Sequence, residues 1–289
     1  MNRFGVLCAA GLLAGGVFVS AQSTAVPAPR RGAGDSITGA FEGWYFNPDG
    51  SRSFLVGYYN RNSQQELDIP IGPNNRIEPG GPDMGQPTHF LAGRQWGMFT
   101  VPAPKEFKPT DSYVWTIVAN GQSTSIPLRL HPDYVMSPFT EIAVGNTPPV
   151  LKFDPAGKTF QGPLARLATA AASMTASAAA PMPLPIWVAD DAKYTSGSNA
   201  PPAGSRSPVS VRWSKYRGPG AVTFDKARPE LQKLPAGAAP FNGKADATVK
   251  FAEPGDYVLH VTGNDYSGDG GGGFGCCWTT LLVKVTVKP

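Results

Sequence analysis

Between Val209 and Val287 the chain reads VSVRW at 209–213, ATVKF at 247–251, YVLHV at 257–261 and LLVKVTV at 281–287. In each stretch apolar side chains fall on alternate positions: Val209, Val211 and Trp213; Ala247, Val249 and Phe251; Tyr257, Leu259 and Val261; Leu281, Val283, Val285 and Val287. A period of two puts one set of side chains on one face of a strand and the other set on the opposite face. Four such strands, separated by Gly, Pro and Asp turns, predict sheets with one buried and one solvated face, packed as a sandwich. Trp213 is placed to be the core aromatic. His260 falls on the outward face, between Leu259 and Val261, a position that reads as surface or interface.

The rest of the composition agrees with an all-β chain. Of 289 residues 41% are hydrophobic and 10% aromatic, enough for two cores, and 34 Gly with 30 Pro supply many turns. The charge balance, 25 basic against 21 acidic residues, is +4, and no basic run or acidic tail stands out. Nucleic-acid binding wants clustered basic side chains, so no nucleic-acid partner is expected.

The N-terminus reads as an export signal. Asn2-Arg3 is the charged lead, Phe4 to Val19 an apolar and small-residue run, and Val19-Ser20-Ala21 a small-residue cleavage site. The run falls short of the roughly 18 residues of a spanning helix. The expected mature chain starts after Ala21, is secreted or periplasmic, and has no membrane span. Residues 22–35 form a flexible lead-in, 36–147 a first β-sandwich and 148–289 a second.

In the first of these, Phe41 to Phe46 and Ser53 to Tyr59 flank Asn47-Pro48-Asp49-Gly50, and Tyr113 to Val118 and Ser125 to Leu130 flank Asn120-Gly121. Asp-Gly and Asn-Gly between such runs mark hairpins, because these turns need positive φ. Ile126, Leu128 and Leu130 share a face, and Pro127 between them suits an edge strand. Leu67 to Gly97 is either a long functional loop or a run of short hidden strands, as the alternation of Ile69 with Ile71 and His89 with Leu91 suggests. Leu164 to Ala180 carries Ala for helix and Ser and Thr against it. An extended strand is expected there, with a helix over 164–172 as the alternative.

Trp213 with Gly218-Pro219-Gly220 and Val222-Thr223-Phe224 resembles the W-x-x-x-x-G-P-G-x-V-x-F stretch of PKD-like and related immunoglobulin-like modules. Pro254-Gly255-Asp256-Tyr257 resembles the strand-turn-strand that those modules carry next, and the last two strands fit their closing pair. The resemblance covers residues 148–289. It implies an immunoglobulin-like sandwich of extracellular spacing or contact type, touching proteins or glycans, and it implies fold better than activity. The chain departs from the pattern at Gly268 to Gly275 and at the adjacent Cys276-Cys277. Residues 36–146 resemble no family.

Several residues stand out as candidate sites. Three cysteines are present, and removal of a leader takes Cys8 with it, leaving Cys276 and Cys277. Adjacent Cα atoms across a trans peptide lie about 3.8 Å apart, below the roughly 4.4–6.8 Å usual for a disulfide, so two outcomes are open: a vicinal bridge or two separate thiols. A bridge would stiffen an apolar surface beside Phe274 and Trp278. Trp44, Tyr59 and Trp96 are further candidates for contact with a sugar face or a protein, against a competing role in the core. Asp265 and Asp269, with Asp190-Asp191 nearby, are candidate oxygen ligands for calcium, although their spacing is not that of an EF-hand. No other cofactor is expected. His89, His131 and His260 are the only histidines, and no Gly-x-Ser-x-Gly, His-Glu-x-x-His or phosphate loop accompanies them. The expected role is therefore a non-catalytic binding or structural module. The alternative is a hydrolase with its site on the first domain's loops, most readily one where His89 or His131 meets a carboxylate in a pocket.

Overall fold

The computed structural model describes residues 31–142, 144–193, 204–235, 237–265 and 276–289. The expected leader, most of the lead-in, Phe274 and Asp269 lie outside the described residues. Among those described, two short 3-10 turns are the only helical elements and the chain is otherwise all-β.

The first eight strands are β1 (Ile37–Phe46), β2 (Arg52–Asn60), β3 (Leu67–Asp68), β4 (Asn75–Glu78), β5 (His89–Phe90), β6 (Gly93–Ala103), β7 (Tyr113–Ala119) and β8 (Gln122–Leu128). They form the sheets β1-β2-β6 and β4-β7-β8 and the small pair β3-β5. Both expected hairpins are present. Asn120 and Gly121 have φ of 49° and 75°, the pair of positive values that a two-residue turn of this kind requires. Pro127 is exposed on β8, an edge strand, where its missing N–H costs nothing. Between the sheets pack Phe54, Tyr58, Phe90, Phe99 and Trp115. The 67–97 stretch resolves into the short strands β3 to β5 and the start of β6.

The remaining strands are β9 (Val150–Lys152), β10 (Ala172–Ser177), β11 (Met182–Pro183), β12 (Ile186–Asp190), β13 (Ser210–Arg217), β14 (Val222–Phe224), β15 (Gln232–Lys233), β16 (Phe241–Ala245), β17 (Thr248–Phe251), β18 (Gly255–Asn264) and β19 (Trp278–Lys288). One sheet has the order β10-β19-β18-β13. The facing strands run β9-β12-β16-β15, and β11-β17-β14 continue the same rows beyond a break at Leu184 and Asp246, which a Leu184 N–H to Ala247 O bond bridges. With β9 as A, β11/β12 as B, β13 as C, β14/β15 as D, β16/β17 as E, β18 as F and β19 as G, the order is A-B-E-D against C-F-G, that of an immunoglobulin-like sandwich, with β10 added beside G. Trp213, Tyr257, Leu259, Val261, Leu281, Val283 and Val285 fill its core, as their alternation requires.

The 164–180 stretch contains the expected strand, β10, paired in parallel with β19. The alternative helix is absent: one 3-10 turn, Leu167–Thr169, is all that forms. The segment before β10 instead lies along β6, where Ala165 O accepts from Thr100 N–H at 2.9 Å.

Of the two readings of His260, surface or interface, the second holds: the side chain is 1% exposed. The even-numbered face of β13-β18-β19 is covered by the first set of sheets around Tyr216, Val258 and Leu282, which belong to the same apolar cluster as Phe99 and Trp115, and it stays exposed at Asp256, Lys284, Thr286 and Lys288. Polar groups lock the two halves together around this contact. Tyr216 Oη donates to Gly85 O at 2.5 Å, Thr88 N–H donates to Tyr216 O at 3.1 Å, and Arg217 holds Asp83 through two bonds of 2.8 and 2.9 Å. Arg217 keeps the Asp83 carboxyl below its ordinary range. Lys215, also buried, donates to Asp68 at 3.0 Å. The Pro- and Gly-rich 79–92 segment is thus the seat on which the end of β13 rests.

This contact predicts a graded response at Tyr216. Tyr216→Phe removes one buried hydrogen bond and is expected to cost about 1–2 kcal/mol. Tyr216→Ala empties the contact and is expected to cost about 3–5 kcal/mol. Guanidinium unfolding measures both, and equal midpoints for Tyr216→Ala and the parent chain would rule the contact out.

Candidate functional site

The face of β13, β18 and β19 that meets the first sheets changes character along its length. Cross-strand register places Ser214 beside His260, Arg212 beside Thr262 and Ser210 beside Asn264, and on the other side His260 beside Leu282, Thr262 beside Thr280 and Asn264 beside Trp278. The end with Tyr216, Val258 and Leu282 is apolar and covered. The other end is polar, and there the two halves leave a cavity of about 280 Å³. Strand β6 forms its opposite wall, with Arg94, Gln95, Trp96 and Met98, and Arg228 stands at its side.

An irregularity in β6 shapes that wall. Val56 of β2 pairs with Phe99 and Tyr58 with Gln95, so Trp96, Gly97 and Met98 all lie opposite Gly57. Extra residues of this kind bend a strand and re-aim its side chains. Trp96 is consequently 40% exposed at the cavity while its neighbours are buried. Gly97 has φ of 50°, and a Cβ there would come within 2.5 Å of Trp278 Nε1, so glycine is required both for the conformation and for the close approach of the indole.

Arg94 is fixed from beneath. Its Nη2 donates to both carboxylate oxygens of Glu42 at 2.7 and 2.8 Å, and its Nη1 to Gln95 O at 2.7 Å. Glu42 reaches it because it is the unpaired residue of a bulge in β1, between Phe41 and Gly43. Burial pushes the Glu42 carboxyl up, and Arg94 pulls it part of the way back. The guanidinium lies 3.8 Å over the Trp96 ring, a cation–π contact that holds the indole in place. Arg212 donates to Gln95 Oε1 at 3.0 Å across the cavity floor. Trp278 is buried, and its Nε1 has no hydrogen-bond partner among the described residues. Burial, with the Arg212 charge adding to it, brings the His260 imidazole down to about 3, so it is neutral at ordinary pH.

Of the residues chosen from sequence, Trp96 and Trp278 line this one cavity. Trp44 does not: it is 8% exposed in the core, its Nε1 donating to His131 O at 2.7 Å. Tyr59 lies partly covered, with Arg61 over its ring at 5.3 Å, and is not among the residues lining the cavity. Arg94, Arg212 and Arg228 were not anticipated. They come from separated segments, and no run of basic residues betrays them.

Cys276 and Cys277 are bridged to each other across a cis peptide bond. Both are buried, so the pair is not the exposed apolar surface that a contact role wanted. Cys277 Sγ lies 3.4 Å from Asn146 O, a contact without a donor because a bridged sulfur carries no proton. Intact mass before and after reduction checks the bridge: two thiols are expected to appear only with reductant, and ready alkylation without it would exclude the bond.

Beside this bridge Asp265 is buried and accepts from Asn146 Nδ2 at 2.6 Å. Its described carboxylate neighbour is Asp190, and among the described residues no group of three or more metal-ligating side chains forms. Burial, then the charges of Asp265 and Asp191, push the Asp190 carboxyl up to about 7, against a bond from Ala192 N–H that lowers it. The folded state therefore holds a proton that the unfolded chain releases near pH 4. Stability is expected to fall as pH rises from about 4 through 7, by about 4 kcal/mol. Asp190→Asn keeps the acceptor for Ala192 and is expected to flatten that slope and raise stability at pH 8, read from urea midpoints at pH 5 and 8; an unchanged slope would disprove the assignment.

His89 and His131, the histidines on which a hydrolase would turn, lie elsewhere. His89 has both ring nitrogens against carboxylates, Nδ1 to Asp68 at 3.0 Å and Nε2 to Glu66 at 3.2 Å. His131 caps the 3-10 turn Pro132–Tyr134, its Nδ1 accepting from Asp133 N–H at 3.3 Å.

No family model matches the chain, and no curated protein does. Among solved structures, domains 4 and 5 of the S-layer protein SbsC match at 11% identity over 88% of this chain and 98% of that one, with a TM-score of 0.21. A protein of unknown function from Porphyromonas gingivalis W83 matches at 8% identity over 87% and 100%, with a TM-score of 0.22. At these scores the matches say nothing further about the chain. Among the described residues no helix is long and apolar enough to cross a membrane.

Proposed function

We propose that the mature chain is exported and acts as a non-catalytic binding module for a protein or glycan outside the cytoplasm, its contact site being the cavity between the two sets of sheets. The observation that carries this reading is the meeting of Trp96 and Trp278, from opposite halves of the chain, in one polar cavity. Junctions of this kind are favoured places for ligand sites, where a few placed polar groups fix orientation. Export rests on the leader pattern of residues 1–21, and the place of residues 148–289 among PKD-like modules on the Trp213 and Gly-Pro-Gly motif together with the A-B-E-D and C-F-G strand order.

The test is a glycan-array and pull-down screen of the mature protein beside its Trp96→Ala variant. A retained ligand that the variant loses is the expected result. Retention that is equal for both would move the site elsewhere.

The hydrolase alternative rests on His89 between Asp68 and Glu66. Both nitrogens are taken up by carboxylates, and Asp68 also holds Lys215 of the second sandwich, which supports a bracing role for the trio. Turnover of a generic hydrolase substrate panel that His89→Ala abolishes would reverse this preference.

A further inference from the structure

We propose that a second cavity between the two halves holds a tetrahedral oxyanion, a phosphate or sulfate group, on Arg166 and Lys158. The site goes beyond the binding reading above and shares no lining residue with the Trp96 cavity. It measures about 200 Å³ and lies between Asn47 and Thr100 of the first half and the 158–171 segment of the second. That segment runs along β6, with Thr100 N–H donating to Ala165 O at 2.9 Å, which brings Arg166 up to the first sheets. There its Nη2 donates to Ser53 Oγ at 2.8 Å. The described lining carries Arg166 and Lys158 and no carboxylate.

The Arg166 charge is not neutralised. Ser53 is an uncharged acceptor, and no described carboxylate lies at ion-pair distance. Asp49 is near enough to feel the charge, yet it is exposed and its carboxylate is bonded to Ser51. Among the guanidinium nitrogens, Nη2 is bonded and Nε is buried without a partner. Nη1 is neither bonded nor buried, and it is the atom that a ligand can reach. A half-buried cation without a counter-charge is costly, and an anion at Nη1 would offset that cost. Lys158 is exposed, its Nζ 5.2 Å from the Phe160 ring, and it makes no ion pair with the described residues. Thr159 and Thr169 add exposed hydroxyls that bond to no described residue. Donors supplied to one cavity from 158–159, 166 and 169 suit an ion with three or four acceptor oxygens better than a flat carboxylate. The volume lies below the roughly 300–1,000 Å³ of sites for drug-sized ligands, and such a group is small enough for it.

Isothermal calorimetry of the mature chain tests the site with four probes: inorganic phosphate, inorganic sulfate, a sulfated oligosaccharide and acetate. Phosphate or sulfate is expected to bind at one saturable site and to weaken with added sodium chloride. Arg166→Gln, which keeps an N–H for Ser53, is expected to weaken binding about tenfold or more, the loss of a charged hydrogen bond. Lys158→Gln is expected to weaken it about two- to fivefold, as suits an exposed charge. Both ions stabilise folded proteins without a site, so saturable heat is the readout and a raised unfolding midpoint is not. Midpoints without added anion report whether each variant folds, and the exposed Lys158 decides if Arg166→Gln does not. A sulfated oligosaccharide that outdoes inorganic sulfate, and loses that advantage in Arg166→Gln, sets the group on a polymer. The reverse order sets it free in solution, and both support the site. Acetate as effective as phosphate and sulfate overturns the tetrahedral assignment. Unchanged binding in every variant that folds, or no saturable heat with any probe, overturns the site and leaves the reading of the Trp96 cavity untouched.

Discussion

The sheet β10-β19-β18-β13 is covered on one face along its length and on the other around Tyr216, Val258, His260 and Leu282, while Lys284, Thr286 and Lys288 stay exposed, and the features that distinguish this protein depend on that second cover. Its odd-numbered side chains close the second sandwich's own core around Trp213, while Tyr216, Val258 and Leu282 on the other face join the core of the first sheets. Covering both faces removes more apolar surface than either half could bury alone, at about 25 cal/mol per Å². It also fixes the polar groups that come with them: Lys215 against Asp68, Arg217 against Asp83, and His260 sealed in as a neutral ring. The cavity is what remains where the same face turns polar and the two surfaces no longer fit.

Two bulges give that cavity its wall. One in β1 frees Glu42 to reach Arg94, and the other in β6 throws Trp96 outward while Gly97 lets the Trp278 indole close in. Electrostatics then separate the arginines by task. Arg94 is committed to Glu42 and to holding Trp96, whereas Arg228 stands without a described partner at the rim. Asp190 and Asp265 share a buried corner beside the Cys276–Cys277 bridge, where burial pushes the Asp190 carboxyl up to about 7.

Much of the architecture was legible from residues alone. Alternation at 209–213, 247–251, 257–261 and 281–287 is a local signal, since period two is a property of one strand, and the Asp-Gly and Asn-Gly turns act within four residues. The cavity was legible only in fragments. Trp96 and Trp278 could be picked out as unusual aromatics, but Trp44 looked the same in sequence and proved to be core, its indole capped by His131 O.

By itself the sequence determined the all-β class, the hairpins, the core face of each C-terminal strand and the extended course of the chain at 172–177. Only the tertiary structure decided what covers the second face of each strand, because that depends on a neighbour more than a hundred residues away. His260 shows the difference. Alternation places it opposite Leu259, and water or protein on that side is equally compatible with the pattern; the docking of β6 makes it protein. The same docking gathers Arg94, Arg212 and Arg228, which no local rule connects, around one cavity.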